Sequence, residues 1–499
     1  MPGVYRVNDR PRTRKIREVI FVDYMGNIGL YTSPSGKDIC RMPIRLLTYC
    51  RTFLLRHLSP PGIFVLSFAG VIFVGGCLLW LPFSASGNRL TFVDALFSSA
   101  SAVCVTGLVV VDIGKDLSLA GQIITMVLFQ CGGLGIITFS VFFFHLMGRS
   151  VPFKGREIVQ STFLHTPQKD FQIILKSVLL LTLIIESLGS IFLFIRFSQN
   201  FPLGQAFYHS IYHAVSAFNN CGYSLFSDNL VQYQGDIIIN ITIMSLIILG
   251  GIGFIVQHEV FLRMKNPKNR ISLHTKIVLI TTGLLIVVGA VLFYFFERNN
   301  VIRDVPWQSK LLISLFQSIT PRTAGFNTID IGHLTNDTIL LTMMLMFIGA
   351  SPGSTGGGIK TTSTALLCLM LWNRLKGQED VCIFNRAIPR EAISRAISII
   401  FASGFAVALI TSIVLLAGPK APPAESRYLF VEYLFDTISA FGTVGLSMGI
   451  TPKLNDFQKI ALMIMMFAGR VGPLTLAFSL SIKASKKNIV YAEENIMVG

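Results

Sequence analysis

Eight apolar stretches, near residues 62–82, 119–147, 171–197, 236–262, 275–296, 336–372, 393–418 and 457–482, are each long enough to cross a bilayer as a helix, which takes about 20 residues. Runs of this length far exceed the roughly 9–11 residues of a membrane strand, and a helix satisfies its own backbone groups in lipid. The chain therefore reads as an all-α membrane protein with eight transmembrane helices. Charged residues make up only 14% of the 499, against roughly 25% in soluble domains, which excludes an ordinary cytosolic enzyme. The net charge of +16 lies between apolar runs rather than on a basic face interleaved with aromatics, so no nucleic acid is implied. The eight cysteines contain no C-x-x-C pair, and neither a disulfide framework nor a zinc site is indicated.

Between spans one and two, three and four, five and six, and seven and eight lies a semi-apolar stretch ending in a glycine turn. Aligned on one glycine they read FSSASAVCVTGLVV (97–110), YHAVSAFNNCGYSL (212–225), LFQSITPRTAGFNT (315–328) and FDTISAFGTVGLSM (435–448). The glycines are Gly107, Gly222, Gly325 and Gly445, and Ser101, Ser216 and Ser439 stand six residues before three of them. A repeat of this length is far beyond the roughly 20–50 residues of solenoids. It predicts four fused span, re-entrant half-helix, loop, span units, all parallel, around a central pore. The expected segments are a basic N-terminal stretch 1–58, repeats at 59–148, 149–264, 265–373 and 374–484, and a tail 485–499.

Lys and Arg crowd the connections 148–170, 263–276 and 373–395, which places those loops in the cytoplasm. Both termini then face the cytoplasm, and all four glycine turns lie on the outer side of a cytoplasmic membrane.

Irregular backbone at membrane depth is tolerated where it lines a cavity, and a ring of main-chain carbonyls can replace the hydration shell of a potassium ion. The candidate ring is Val105, Thr106 and Gly107; Asn220, Cys221 and Gly222; Thr323, Ala324 and Gly325; and Thr443, Val444 and Gly445. Five or six residues beyond the glycines stand Asp112, Asp228 and Asp330, while the fourth repeat has Ile450. These carboxylates are candidates for an outer mouth that concentrates cations, or are ordinary turn caps. The run SPGSTGGGIKTT (351–362) interrupts the sixth span with Gly353, Gly356, Gly357 and Gly358, each costing about 1 kcal/mol in a helix relative to alanine. A loop at membrane depth results, with Lys360 at its inner end.

The four-fold plan, the glycine in each loop and the strings SPGSTGGGIKTT and FAGRVGPLTLAF (467–478) resemble the Trk/Ktr/HKT superfamily of cation transporters, most of all its Ktr-type membrane subunit. The resemblance covers about residues 60–485. It implies that the four glycines form a potassium selectivity filter, since Gly107 stands where sodium-preferring members carry serine. It further implies that the 351–362 loop gates the pore and that Arg470 is a barrier below the filter. A homodimer on a cytosolic ring of nucleotide-binding regulatory subunits, and sodium as a stimulating ion, also follow from it. The chain has no dinucleotide fingerprint, so no organic cofactor of its own is expected.

Arg470, 13 residues before Lys483, lies about 20 Å from it along a continuous helix, too deep to reach water. It should face the pore or a carboxylate, or tie helix ends together through their carbonyls. Glu186 in the third span is a second intramembrane charge, and it would be the coupling group if the chain were instead a symporter moving potassium with sodium or protons. Gly349 to Gly353 matches a nucleophile elbow and Gly353 to Lys360 approaches a phosphate-binding loop. The first follows a membrane span rather than a strand and the second lacks G-K-[ST], so no enzyme is expected. Gly107→Ser is expected to remove potassium preference with little effect on folding, because the position reads as a solvent-facing loop.

Overall fold

The computed structural model describes residues 19–22, 28–31, 60–87, 89–147, 171–378, 380–419, 422–473 and 476, in two units, Met1–Ser59 and Pro60–Gly499. The first unit carries an antiparallel hairpin of β1 (Val19–Val22) and β2 (Ile28–Tyr31), with Val19 opposite Tyr31. Its β-branched and aromatic residues suit a pleated surface, and it corrects the wholly helical expectation. The loop 148–170 and the tail 485–499 lie outside the described residues.

The second unit repeats one pattern four times. First come α1 (Pro60–Trp80), α2 (Phe92–Val103) and α3 (Leu119–Met147). Next are α4 (Phe171–Phe197), α5 (Leu203–Phe218) and a third helix broken into α6 (Ile237–Gly251) and α7 (Phe254–Lys265). The third set is α8 (Leu273–Glu297), α9 (Trp307–Ile319), α10 (Asn336–Phe347) and α11 (Thr361–Leu375). After a two-residue hairpin, β3 (Cys382–Ile383) with β4 (Arg386–Ala387), come α12 (Arg390–Leu416), α13 (Pro423–Gly442) and α14 (Asp456–Val471). The short helices α2, α5, α9 and α13 fall where the sequence predicts half-helices. Proline precedes three of them, at Pro202, Pro306 and Pro422, where a missing N–H leaves no intrahelical bond unmade. The first starts instead on Thr91, whose hydroxyl accepts from Asp94 N–H at 3.1 Å.

Two predicted spans are not continuous. The stretch 236–262 bends by 105° between α6 and α7, where Gly253 takes φ +94°, and the last helix ends at Val471 ahead of Gly472 at φ +93°. Only glycine enters that region freely, so both breaks follow from the sequence G-x-[IV]-G. Among the described residues, Val178–Phe197 of α4, α8 and α12 are long and apolar enough to cross a membrane alone, and the bent α6–α7 pair passes as one span. Their outward faces carry large apolar side chains such as Leu183 (64% exposed), Leu284 (61%) and Phe401 (75%), a belt suited to lipid.

In the first, second and fourth sets the first and third helices both pack on the short helix, and in the third set α8 packs on both α9 and α10. Between sets, the third helix packs on the next half-helix: α3 on α5, α6 on α9, α10 on α13, and α14 on α2. The last contact closes the circle, and a largely buried ion pair, Lys459 Nζ to Asp94 Oδ1 at 2.7 Å, joins α14 to α2 across it.

Candidate functional site

The closed order of helices brings the four glycine turns edge to edge. A Cβ at Gly107 would run into the Cys221 carbonyl oxygen, and one at Gly222 would stand 2.5 Å from the Ala324 oxygen and 2.8 Å from Gly325 Cα. One at Gly325 would meet the Val444 oxygen, and one at Gly445 the Thr106 oxygen. Each glycine thus lies against the residue that precedes the next glycine, and the fourth returns to the first. All four have positive φ: +89°, +77°, +76° and +93°.

Two residues before each glycine, Val105, Asn220, Thr323 and Thr443 also have positive φ, between +50° and +70°. Three of these are β-branched, and each such non-glycine residue costs on the order of 1–3 kcal/mol. In an extended strand successive carbonyls point to opposite sides; left-handed residues at alternate positions turn them to one side. Among the described residues, only Gly222 of the four triplets has a main-chain carbonyl that accepts a hydrogen bond, from Asn229 Nδ2 at 3.3 Å. These residues are buried, Gly445 partly so, and a ring of such carbonyl oxygens is chemically able to coordinate a dehydrated cation.

Hydroxyls on the half-helices hold the loops. Ser101 Oγ donates to the Leu108 carbonyl at 2.8 Å and accepts from Gly107 N–H at 3.1 Å, and Ser216 Oγ donates to the Tyr223 carbonyl at 2.8 Å. Ser439 Oγ accepts from Gly445 N–H at 3.0 Å. The third repeat has Ile319 at the equivalent place, and Thr320 takes over by donating to the Phe326 carbonyl. Sequence alignment on the glycine missed Thr320 because it is displaced by one residue; a hydroxyl next to the expected position was the available signal. Thr320→Val should cost about 1–3 kcal/mol by leaving that buried carbonyl unpaired, whereas Thr320→Ser should stay near the parent. Thermal unfolding of the purified protein measures this, and an unshifted midpoint in the valine variant would remove the clamp.

The predicted loop at 351–362 lies against the third and fourth turns. Ile348 and Ile359 form a bridge, and the Ala350 N–H donates to Gly357 O at 3.3 Å, which pins the loop at its neck. Gly357 N–H donates to Thr443 Oγ1 at 2.9 Å, and a Cβ at Gly356 would collide with Thr323 Oγ1. Gly353 and Gly358 have φ of +67° and +68°. Ser351 and Thr355 N–H groups donate to Gly251 O and Gly250 O at 3.0 and 3.3 Å, so the loop also fills the break between α6 and α7. Lys360, at the start of α11, donates to Gly356 O at 2.8 Å.

Arg470 sits in the last turn of α14, where the helix dipole favours a cation, rather than in the middle of a continuous span. It is buried and donates to three carbonyls: Thr355 in the loop, and Gly132 and, at 3.2 Å, Gly133 on α3. Carbonyl ties are thus present, but to the loop and to the middle of α3 rather than to a helix end, and no described carboxylate pairs with Arg470.

Asp112 accepts from Gly114 and Lys115 N–H at 2.9 and 3.1 Å, Asp330 from Gly332 N–H at 2.9 Å, and Asp228 is exposed. Two buried charges near the turns escaped the sequence reading. Asp436 on α13 accepts from Ser447 Oγ at 3.2 Å and from Thr451 Oγ1, and Arg322 donates to Thr282 Oγ1 at 3.3 Å.

A family model described as cation transport protein, TrkH, matches residues 65–491. The Ktr system potassium uptake protein B of Bacillus subtilis is 38% identical over 445 residues, spanning 88% of this chain and 97% of that protein. The potassium/sodium uptake protein NtpJ of Enterococcus hirae is 35% identical, spanning 91% of this chain and 100% of that one. The crystal structure of the potassium transporter TrkH from Vibrio parahaemolyticus shares the fold, with a TM-score of 0.67 at 20% identity over 85% of this chain and 86% of the other. With the match covering most of its length, the chain belongs to the TrkH family of cation transport proteins and is a membrane transporter rather than an enzyme.

Proposed function

We propose that this chain takes potassium into the cell through the ring of four glycine turns, with the 351–362 loop and Arg470 as its gate. The ring of otherwise unpartnered, buried carbonyls on alternately left-handed backbone is the observation that carries the reading. Such oxygens stabilise a dehydrated cation, and glycine is needed where neighbouring turns touch. The relatives named for potassium uptake support the choice of ion. Eight membrane crossings, four re-entrant half-helices, cytoplasmic termini, and repeat boundaries at 59–148, 149–264, 265–373 and 374–484 belong to the same proposal. A membrane potential, worth about 2.3 kcal/mol per charge per 100 mV, drives entry, and no covalent chemistry is involved.

Homodimers seated on a cytosolic nucleotide-binding ring would regulate the gate, with sodium as a stimulating ion and Asp112, Asp228 and Asp330 drawing cations to the mouth. The experiment is flux into proteoliposomes holding the purified protein, comparing potassium, rubidium and sodium at one imposed potential. Potassium and rubidium should pass well ahead of sodium. Equal passage of all three would overturn the filter. If no ion passes, shortening the 351–362 loop should restore potassium flux when the pore is merely shut and should change nothing when there is no pore.

A further inference from the structure

Glu186 projects from α4, a helix whose neighbouring Leu183, Ile184 and Leu188 face outward, yet its own side chain is buried. Among the described residues its carboxylate meets no cation. Oε2 accepts from Gln130 Nε2 of α3 at 3.3 Å and Oε1 accepts from Asn219 Nδ2 at 3.2 Å. Asn219 Nδ2 also reaches Gln130 Oε1, so three side chains from three elements close one buried network.

Asn219 ends α5 and immediately precedes Asn220, the left-handed residue that starts the second turn of the ring. Its Oδ1 lies over Gly133, where a Cβ would collide with it. The side chain is therefore fixed on one side by the α3 backbone and on the other by Glu186. Gly133 O is in turn a partner of Arg470. The position three residues before the glycine is Cys104, Asn219, Arg322 and Gly442 in the four repeats. In the third repeat, too, this residue is tied to the first helix of its set, Arg322 to Thr282 of α8.

We propose that Glu186 is a positioning residue for the second filter turn: by holding Asn219 it sets the backbone that presents Asn220, Cys221 and Gly222 to the ion. The inference rests on the filter reading above. It assigns the carboxylate a task in selectivity and none in coupling potassium to a second ion.

The test uses the full chain in proteoliposomes and reads the potassium-to-sodium permeability ratio. Glu186→Ala should lower the ratio about tenfold or more, a change of about 1.4 kcal/mol in discrimination. Glu186→Gln keeps an oxygen that accepts from Asn219 and should stay within about twofold of the parent. Asn219→Ala should lower the ratio as Glu186→Ala does, and the double variant should add little, because residues acting through one network are not additive. If Glu186→Ala does not fold, Asn219→Ser carries the same expectation at the end of α5.

An unchanged ratio in Glu186→Ala or Asn219→Ser, beside a lost ratio in Gly107→Ser, would overturn the positioning role and leave the filter standing. Unchanged ratios in all of them would overturn the filter and the positioning role together. A Glu186→Gln variant with its ratio intact but potassium movement freed from a proton or sodium gradient would show that the titrating carboxyl is what matters, which also overturns the proposal.

Discussion

Gly107→Ser is expected to reduce the potassium-to-sodium permeability ratio at least about tenfold, or about 1.4 kcal/mol, and to lower the unfolding midpoint as well. The second effect departs from the sequence expectation of a neutral, solvent-facing loop position. Gly107 is buried, has φ +89°, and faces the Cys221 carbonyl oxygen with no room for a Cβ. A serine there carries backbone strain on the order of 1–3 kcal/mol and must push the second turn aside. The displaced oxygen belongs to the set proposed to dehydrate the ion, so strain and lost discrimination share a cause. Flux ratios in proteoliposomes and thermal unfolding in detergent measure the two effects. A variant with the parent's ratio would undo the assignment of Gly107 to the filter. A variant with the parent's midpoint would mean that the first two turns do not touch.

The four glycines were legible because their requirement is local and absolute: a left-handed residue with a neighbouring backbone against it admits no side chain. The same logic made 351–362 legible as a break, since four glycines in a short run cannot hold a helix. The second glycine set was equally available in G-G-L-G (132–135), G-G-I-G (250–253) and G-R-V-G (469–472), yet long apolar runs hid it and the spans 236–262 and 457–482 were read as continuous. What joins that set is a common contact: a Cβ at Gly132, Gly250 or Gly469 would strike the carbonyl of Val103, Phe218 or Phe441, each four residues before a ring glycine. Val105, Thr323 and Thr443 could not be read as left-handed, because their propensity opposes it and only the surrounding fold imposes it. Asn219 and Glu186 were invisible as partners for a different reason. They are 33 positions apart on helices whose rotation no single-chain pattern specifies.

The second large effect is expected at Arg470. Its guanidinium fork spans the Thr355 carbonyl of the loop and the Gly132 and Gly133 carbonyls of α3, so one side chain fastens the loop beneath the ring. Hydrogen bonds from a charged donor contribute about 1.5–3 kcal/mol each. Its positive charge adds a repulsive barrier to any cation that passes close by. Arg470→Met removes both, and potassium flux through the protein alone should rise by more than about tenfold. Arg470→Lys separates the two contributions. An ammonium keeps the charge but lacks the planar fork that reaches both sides. If the tether dominates, the lysine variant should leak nearly as much as the methionine variant; if the charge dominates, it should remain nearly closed. Flux equal to the parent's in both variants, with folding intact, would take Arg470 out of the gate and leave it as a brace between α14 and α3.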